Sequence, residues 1–321
     1  MNAFAYVTAQ TPKSAVELAG EDGRFLAGGV DLLGRLEEGL DEPKMLVNIK
    51  ALPGTTDITP GPDKWMIGAN VKLAALAAHP EINRVFPGLA AAAAHVGSPQ
   101  MRNLATIGGN LAQHSRCWYY RHHDVVCLKK GGHRCFARSG ENKYHSLFTA
   151  AMCASPCVSN LGVALTALGA SAVVQHPARA MTMPMADLYA SAWRNPRVHH
   201  SLRQGDLILR VEIPVPAGGR SVYLQMGEKA EFDWALVSCS AAAQVSGRKL
   251  TKPRVVLGAV APIPWEVEEA NALLDGGDLT DELVSMAANR ILEKATPLAH
   301  NAYKIPLAHT LIRRALNQLV A

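Results

Sequence analysis

The segment Gln100-Met101-Arg102-Asn103-Leu104-Ala105-Thr106-Ile107-Gly108-Gly109-Asn110-Leu111 governs how the rest of the sequence reads. Two adjacent glycines stand between Thr106 and Asn110. Adjacent glycines let backbone N–H groups converge on an anion, and a helix starting behind them adds a favourable dipole. Thr106 and Asn110 could donate further hydrogen bonds. A second turn of this kind, Ala27-Gly28-Gly29-Val30-Asp31-Leu32-Leu33, falls at a strand-to-helix junction. Neither matches G-x-G-x-x-G or the P-loop, so a Rossmann or NTPase site is not indicated. Taken alone, each double glycine also suits an ordinary tight turn.

Working outward, three blocks emerge. The first runs to about residue 50. Thr11-Pro12 opens a helix, with Thr as cap and Pro at the first helical position. Arg24 to Ala27 reads as a strand, Asp31 to Leu40 as a helix and Met45 to Ile49 as a strand, which suits an α/β subdomain. The second block, 51–176, has a strand near Trp65 to Ile67 and helices near Leu73 to Ala78 and Leu89 to His95. Within it, residues 114–157 lack usable periodicity and are rich in His, Cys, Arg and Gly. So long an irregular stretch inside a compact domain needs a reason, and a bound inorganic cluster would supply one. The third block, 177–321, has strand patterns at Leu207 to Ile213, Ala235 to Val245 and Val255 to Val260. Helical patterns follow at Trp265 to Leu274, Leu283 to Leu292 and His309 to Leu319. Strands followed by helices predict a separate α+β domain.

Composition bounds the function. The chain has 321 residues, 49% apolar and 18% charged, with a net charge of +5 that no Lys/Arg block gathers into a stripe. That predicts a globular protein with no nucleic-acid partner. No apolar run approaches the ~18 residues that cross a bilayer. The start Met1-Asn2-Ala3-Phe4-Ala5-Tyr6 has no secretory pattern, so a cytoplasmic protein is expected, although export on a partner's signal would look identical.

Five of the six cysteines, Cys117, Cys127, Cys135, Cys153 and Cys157, lie between residues 117 and 157. Without an export signal, disulfides are disfavoured. Structural zinc sites pair their cysteines closely, and only Cys153 and Cys157 do so. The wider gaps between Cys117, Cys127 and Cys135 suit a loop around something larger, as iron–sulfur clusters accept. The histidines His114, His122, His123, His133 and His145 keep zinc open, and spacing alone does not choose. Cys239, in an apolar run, reads as a buried strand thiol.

Taken together with Leu207-Ile208-Leu209-Arg210-Val211-Glu212-Ile213-Pro214, the two glycine segments resemble the FAD-binding medium subunit of the xanthine dehydrogenase and carbon monoxide dehydrogenase family. The likeness covers nearly the whole chain, and the R-N-x-A-T-I-G-G-N-L stretch is its most specific part. The long cysteine-bearing connection is similar to the branch that includes 4-hydroxybenzoyl-CoA reductase and bacterial periplasmic aldehyde oxidoreductase. In that branch four inserted cysteines bind a [4Fe–4S] cluster. The resemblance implies Cys117, Cys127, Cys135 and Cys153 as ligands and Cys157 as a spectator.

The fold so implied is α+β: two N-terminal α/β subdomains of the FAD-binding PCMH/vanillyl-alcohol-oxidase-like type (1–50 and 51–176, the insert at about 114–157) and an α+β C-terminal domain (177–321). FAD would contact Ala27, Gly28, Gly29, Val30, Asp31, Leu32, Thr106, Gly109 and Asn110 around its pyrophosphate. Asn160 would sit near the adenosine end and Leu209 against the flavin. Two departures stand out: Val30 replaces a usual Thr, and Gln225 replaces a Lys near the flavin. The implied role is electron relay between a [2Fe–2S] small subunit, beside a molybdenum-cofactor large subunit, and an external acceptor. No catalytic acid, base or nucleophile is expected in this chain, and the insert histidines read as solvated or packing groups. Two rival readings are a zinc-stabilised scaffold without flavin and a self-sufficient flavin oxidoreductase.

Overall fold

The computed structural model describes residues 2–215, 217–230 and 232–321. Its first lobe is a parallel three-stranded sheet, β1 (Ala5–Thr8), β2 (Gly23–Leu26) and β3 (Met45–Asn48), in the order β1-β3-β2. The helix Pro12–Ala19 crosses between β1 and β2, capped by Thr11, whose side chain accepts from Ser14 N–H. The helix Leu32–Glu37 crosses between β2 and β3. Val47, Ala15 and Val16 bury the space between sheet and helix.

The second lobe is an antiparallel sheet of β4 (Ile58–Thr59), β5 (Lys64–Gly68), β6 (Ser171–Gln175), β7 (Ala180–Pro184) and β8 (Leu207–Pro214), in the order β4-β5-β8-β6-β7. Strand β8 sits at its centre, paired on one side with β5 and on the other with β6. The break between sheets therefore falls after Pro214 and not at 176, where sequence pattern put it. Such pairing is non-local, and strand periodicity does not reveal it. Ile67 and Val211, both 0% exposed, anchor a core with Leu73, Leu76, Leu161 and Leu165 from the covering helices.

The third unit is an antiparallel sheet of β9 (Gly219–Met226), β10 (Val237–Ser246), β11 (Lys249–Gly258) and β12 (Trp265–Glu266). The helices Glu268–Leu274, Asp281–Leu292 and Lys304–Val320 cover it. Trp265 and Glu266, read as the start of a helix, instead pair with Leu257 and Val256. Cys239 lies on β10 at 0% exposure, its thiol pushed up to about 12 by burial.

The insert contributes to this last core. Leu147 and Phe148 are buried in it, and the Phe148 ring stacks on Trp265 with centroids 3.9 Å apart. Lys304, fully buried, donates at 3.0 Å to the carbonyls of Tyr144, His145 and Ala259. Lys304→Met removes that donor. Because Asn301 still serves the His145 carbonyl, the buried Ala259 carbonyl and the part-buried Tyr144 carbonyl lose their partner. At ~1–3 kcal/mol per orphaned group, the loss should total about 3 kcal/mol. It should appear as a lower urea midpoint for the full chain, and an unchanged midpoint would refute this account.

Candidate functional site

Between the two N-terminal lobes lies a cavity of about 250 Å³. Ala27, Gly28, Gly29, Val30, Asp31 and Leu32 form one wall, and Thr106, Gly109, Asn110 and Asn160 another. Whole-ligand pockets typically measure roughly 300–1,000 Å³, so this enclosed part suits one portion of a dinucleotide. Leu209 lies elsewhere: it packs with Ala9, Val16 and Val47 in the apolar cluster joining the lobes, and its carbonyl accepts from Ala69 N–H at 2.9 Å.

The two glycine segments meet directly. A Cβ on Gly28 would lie 2.1 Å from the carbonyl oxygen of Leu104, so only glycine permits the contact. Gly29 adopts φ +78°, a region open to glycine at little cost.

Their roles differ from the symmetrical expectation. The Thr106–Asn110 segment is the head of a helix, Ile107–Leu111, and not an open turn. The amides of residues 107–110 are all engaged: Ile107 N–H with Val71 O, Gly108 N–H with Ala69 O, Gly109 N–H with Thr106 Oγ1 and Asn110 N–H with Thr106 O. In the first segment, the N–H groups of Gly28, Gly29, Val30, Asp31 and Leu32 have no acceptor among the described residues. Such a run of free donors can hold an anion. The second segment supplies close approach and side chains instead. A Cβ on Gly109 would meet nothing within 4 Å but Thr106 Oγ1, at 3.1 Å, and would point into the cavity. Asn110 Oδ1 accepts from Ser159 Oγ at 2.8 Å, which ties this segment to the helix Asn160–Ala167. The Asn110 Nδ2 has no acceptor among the described residues. Asn160 donates to Gln225 Oε1 at 3.0 Å, as does the Tyr223 hydroxyl.

The Asp31 carboxylate is also occupied. Arg35, Arg116 and Arg121 lie 3.3, 2.8 and 2.7 Å from its oxygens, and the His114 N–H donates to it at 3.0 Å. Burial alone would raise its pKa, but Arg116, Arg35, the His114 amide and Arg121 together hold it below the ordinary carboxylate value. Asp31 thus offers a ligand its amide, while its side chain clasps the insert.

Cys117, Cys127, Cys135 and Cys153 line a second, smaller pocket, closed by Tyr119, Tyr120, Lys129 and Phe136. Among the described residues no three of these sulfurs lie within 4.8 Å of one another. Cys157 stands apart, its thiol pushed up to about 11 by burial against the second lobe's core. Burial also pushes the Cys117 thiol up to about 11. The Cys153 thiol, hydrogen-bonded to Cys135, holds the latter below the ordinary thiol value. His145 Nε2 is 3.1 Å from Cys117 Sγ, and burial holds that ring down to about 4 and hence neutral. Lys129 is buried beside the thiols and donates to Val198 O at 2.7 Å. Between the two pockets, His114 and His199 stack 4.0 Å apart, and His114 Nδ1 lies 2.7 Å from the Tyr120 hydroxyl. Burial keeps both rings well below the usual histidine pKa. His122 and His123, with Asp124, are solvent-exposed.

Sequence reading missed several cavity residues: Arg35, His95, Val96, Met101, Arg116, Phe232 and Trp234. Phe232 and Trp234, in the loop between β9 and β10, are 63% and 45% exposed, and that exposure of large apolar rings stands out only once the chain is folded.

Two lobes closing on a cavity walled by free amides are the makings of a dinucleotide-binding flavoprotein. Residues 2–216 match the family described as FAD binding domain in molybdopterin dehydrogenase, and residues 221–319 match the CO dehydrogenase flavoprotein C-terminal domain. The chain belongs to this family: it is an FAD-binding medium subunit of the molybdenum hydroxylases, a component of an oxidoreductase. It is 31% identical over 313 residues to the aldehyde oxidoreductase FAD-binding subunit PaoB of Escherichia coli, covering 96% of this chain and 95% of that one. It is 26% identical over 321 residues to the carbon monoxide dehydrogenase medium chain of Hydrogenophaga pseudoflava, covering 98% and 96%. Among solved structures, carbon monoxide dehydrogenase of Hydrogenophaga pseudoflava superposes with a TM-score of 0.78 at 24% identity, covering 99% of this chain and 97% of that one. Quinoline 2-oxidoreductase of Pseudomonas putida 86 gives 0.76 at 21%, with the same coverage. Membership sets aside the flavin-free scaffold. No described helix is long and apolar enough to cross a membrane.

Proposed function

We propose that this chain is the FAD- and [4Fe–4S]-bearing electron-transfer subunit of a heteromeric complex, with a molybdenum-cofactor large subunit and a [2Fe–2S] small subunit as partners. The observation that carries the cluster is the convergence of Cys117, Cys127, Cys135 and Cys153 on one buried pocket, with Cys157 outside it. A single zinc ion holds thiolates at about 2.3 Å, which would draw the sulfurs to roughly 3.8 Å from one another. Among the described residues no three of these four sulfurs come within 4.8 Å of one another, which favours a larger inorganic core. Bound flavin supplies one- and two-electron chemistry, and the protein supplies position and shielding. The residues divide that work. The amides of 28–32 and the close approach at Gly109 fit a diphosphate, Asn160 and Gln225 hold each other beside the cavity, and Lys129 offers the thiolates a buried positive charge. Oxidation or reduction of the substrate belongs to the partner, on an aldehyde, purine or aromatic acyl-CoA; the named activity of the Escherichia coli relative favours the aldehyde.

The test is cofactor analysis of anaerobically purified full chain. FAD, not FMN, should be released on denaturation, with roughly four iron and four sulfide per chain and no zinc. A flavin-loaded chain carrying stoichiometric zinc and no iron would refute the cluster while leaving the flavin reading intact. Strong substrate turnover without partners would refute the relay.

A further inference from the structure

Arg116 stands one residue before Cys117, yet its guanidinium lines the FAD cavity and not the cysteine pocket. Its Nη2 lies 2.8 Å from Asp31 Oδ1, and its carbon lies 4.7 Å from the Trp234 ring centroid. Its Nε is buried with no partner among the described residues. The surrounding ion pairs do not balance. Arg24 and Arg35 share Asp41, Arg35, Arg116 and Arg121 share Asp31, and Arg121 also reaches Glu38. Four guanidinium groups thus face three carboxylates within these ion pairs; Asp233, which also lines the cavity, turns its oxygens to the N–H groups of Glu228, Lys229 and Trp234 and not to an arginine. Buried charge without a partner is costly, and an anion with fixed oxygen geometry is what a guanidinium fork best accepts.

We propose that Arg116 is a binding residue for the diphosphate of FAD, so that the cysteine-bearing insert reaches across and helps to hold the flavin cofactor. The proposal rests on the FAD reading of the cavity and adds a ligand that neither glycine segment contains. It also makes cofactor retention depend on the insert's placement, since displacing Cys117 displaces Arg116.

The experiment compares FAD and riboflavin binding to the deflavinated full chain, followed by flavin fluorescence across a range of salt. Riboflavin lacks the diphosphate and the adenosine, so it reports on the ring and ribityl contacts alone, and the salt dependence of FAD binding isolates the charge. Arg116→Ala should weaken FAD binding tenfold or more and flatten its salt dependence, leaving riboflavin binding and iron content at wild-type levels. Arg116→Gln keeps a polar head over Trp234 without charge, and should give the same result if the alanine variant does not fold. Wild-type FAD affinity in a folded variant overturns the proposal. Equal losses for FAD and riboflavin also overturn it, because Arg116 would then be only a clasp between insert and lobe. Failure of the wild-type chain itself to take up FAD would strike the cofactor reading instead.

Discussion

Gly109→Val is expected to give a folded, iron-containing chain that holds no FAD. A side chain here enters the cavity, where nothing but Thr106 Oγ1 stands within 4 Å of the new Cβ. Neither backbone strain nor core overlap is involved, since Gly109 is exposed and its φ is not positive. Two added methyl groups would occupy the space that a phosphate needs for close approach, and affinity should fall by about a thousandfold, roughly 4 kcal/mol. Gly28→Ala makes the contrast. Its Cβ would strike the Leu104 carbonyl at 2.1 Å, separating the lobes and removing both cofactors with the fold. The flavin-to-protein ratio after gel filtration, read beside circular dichroism and iron content, separates the two cases. A well-folded Gly109→Val chain with its full complement of FAD would take this wall out of the cofactor site.

Serine substitution should divide the insert cysteines four to one. Replacing Cys117, Cys127, Cys135 or Cys153 singly swaps a thiolate ligand for a harder, poorer one. Iron retention should fall by more than the roughly 10–100-fold that loss of a mere outer hydrogen-bond partner costs a metal site. Cys157→Ser should retain iron near the wild-type level, because that thiol faces the second lobe's core and its N–H is fixed on Ala261 O at 2.8 Å. Iron per chain, with the visible absorption of the cluster, provides the measurement. A cluster that survives Cys153→Ser but not Cys157→Ser would show that the fourth ligand is the other member of that pair.

What could be read from sequence was local. Capped helix starts such as Thr11-Pro12, the paired glycines and the crowding of cysteines each depend on neighbours a few residues away, and each has a structural counterpart. Where distant segments meet, sequence gave no signal. Nothing in Leu207–Pro214 announces that it lies at the centre of a sheet begun near residue 58. Alternation along that strand likewise could not tell which face Leu209 presents, and it faces the apolar seam between the lobes. Both glycine segments looked like amide cradles, but only the folded chain shows that Val71, Ala69 and Thr106 have already engaged the amides of the second. Arg116 was invisible as a cavity residue for the same reason, since its partners lie at positions 31 and 234.

The seating of Leu147 and Phe148 bears on how this protein can be cut. Both side chains are buried among residues of the C-terminal unit, and their amides donate to Val260 O at 2.7 and 3.1 Å. Expressed alone, residues 217–321 would present an empty slot where those rings and branches belong. Removing a buried Phe from a core costs roughly 3–5 kcal/mol, a large part of the stability of any single domain. The C-terminal unit is therefore not a portable module, and swapping it between relatives requires carrying the insert with it. A nick in the exposed His122–Asp124 stretch should conversely leave a particle that stays whole until denatured, its two fragments held together by the pairing of β5 from one with β8 from the other.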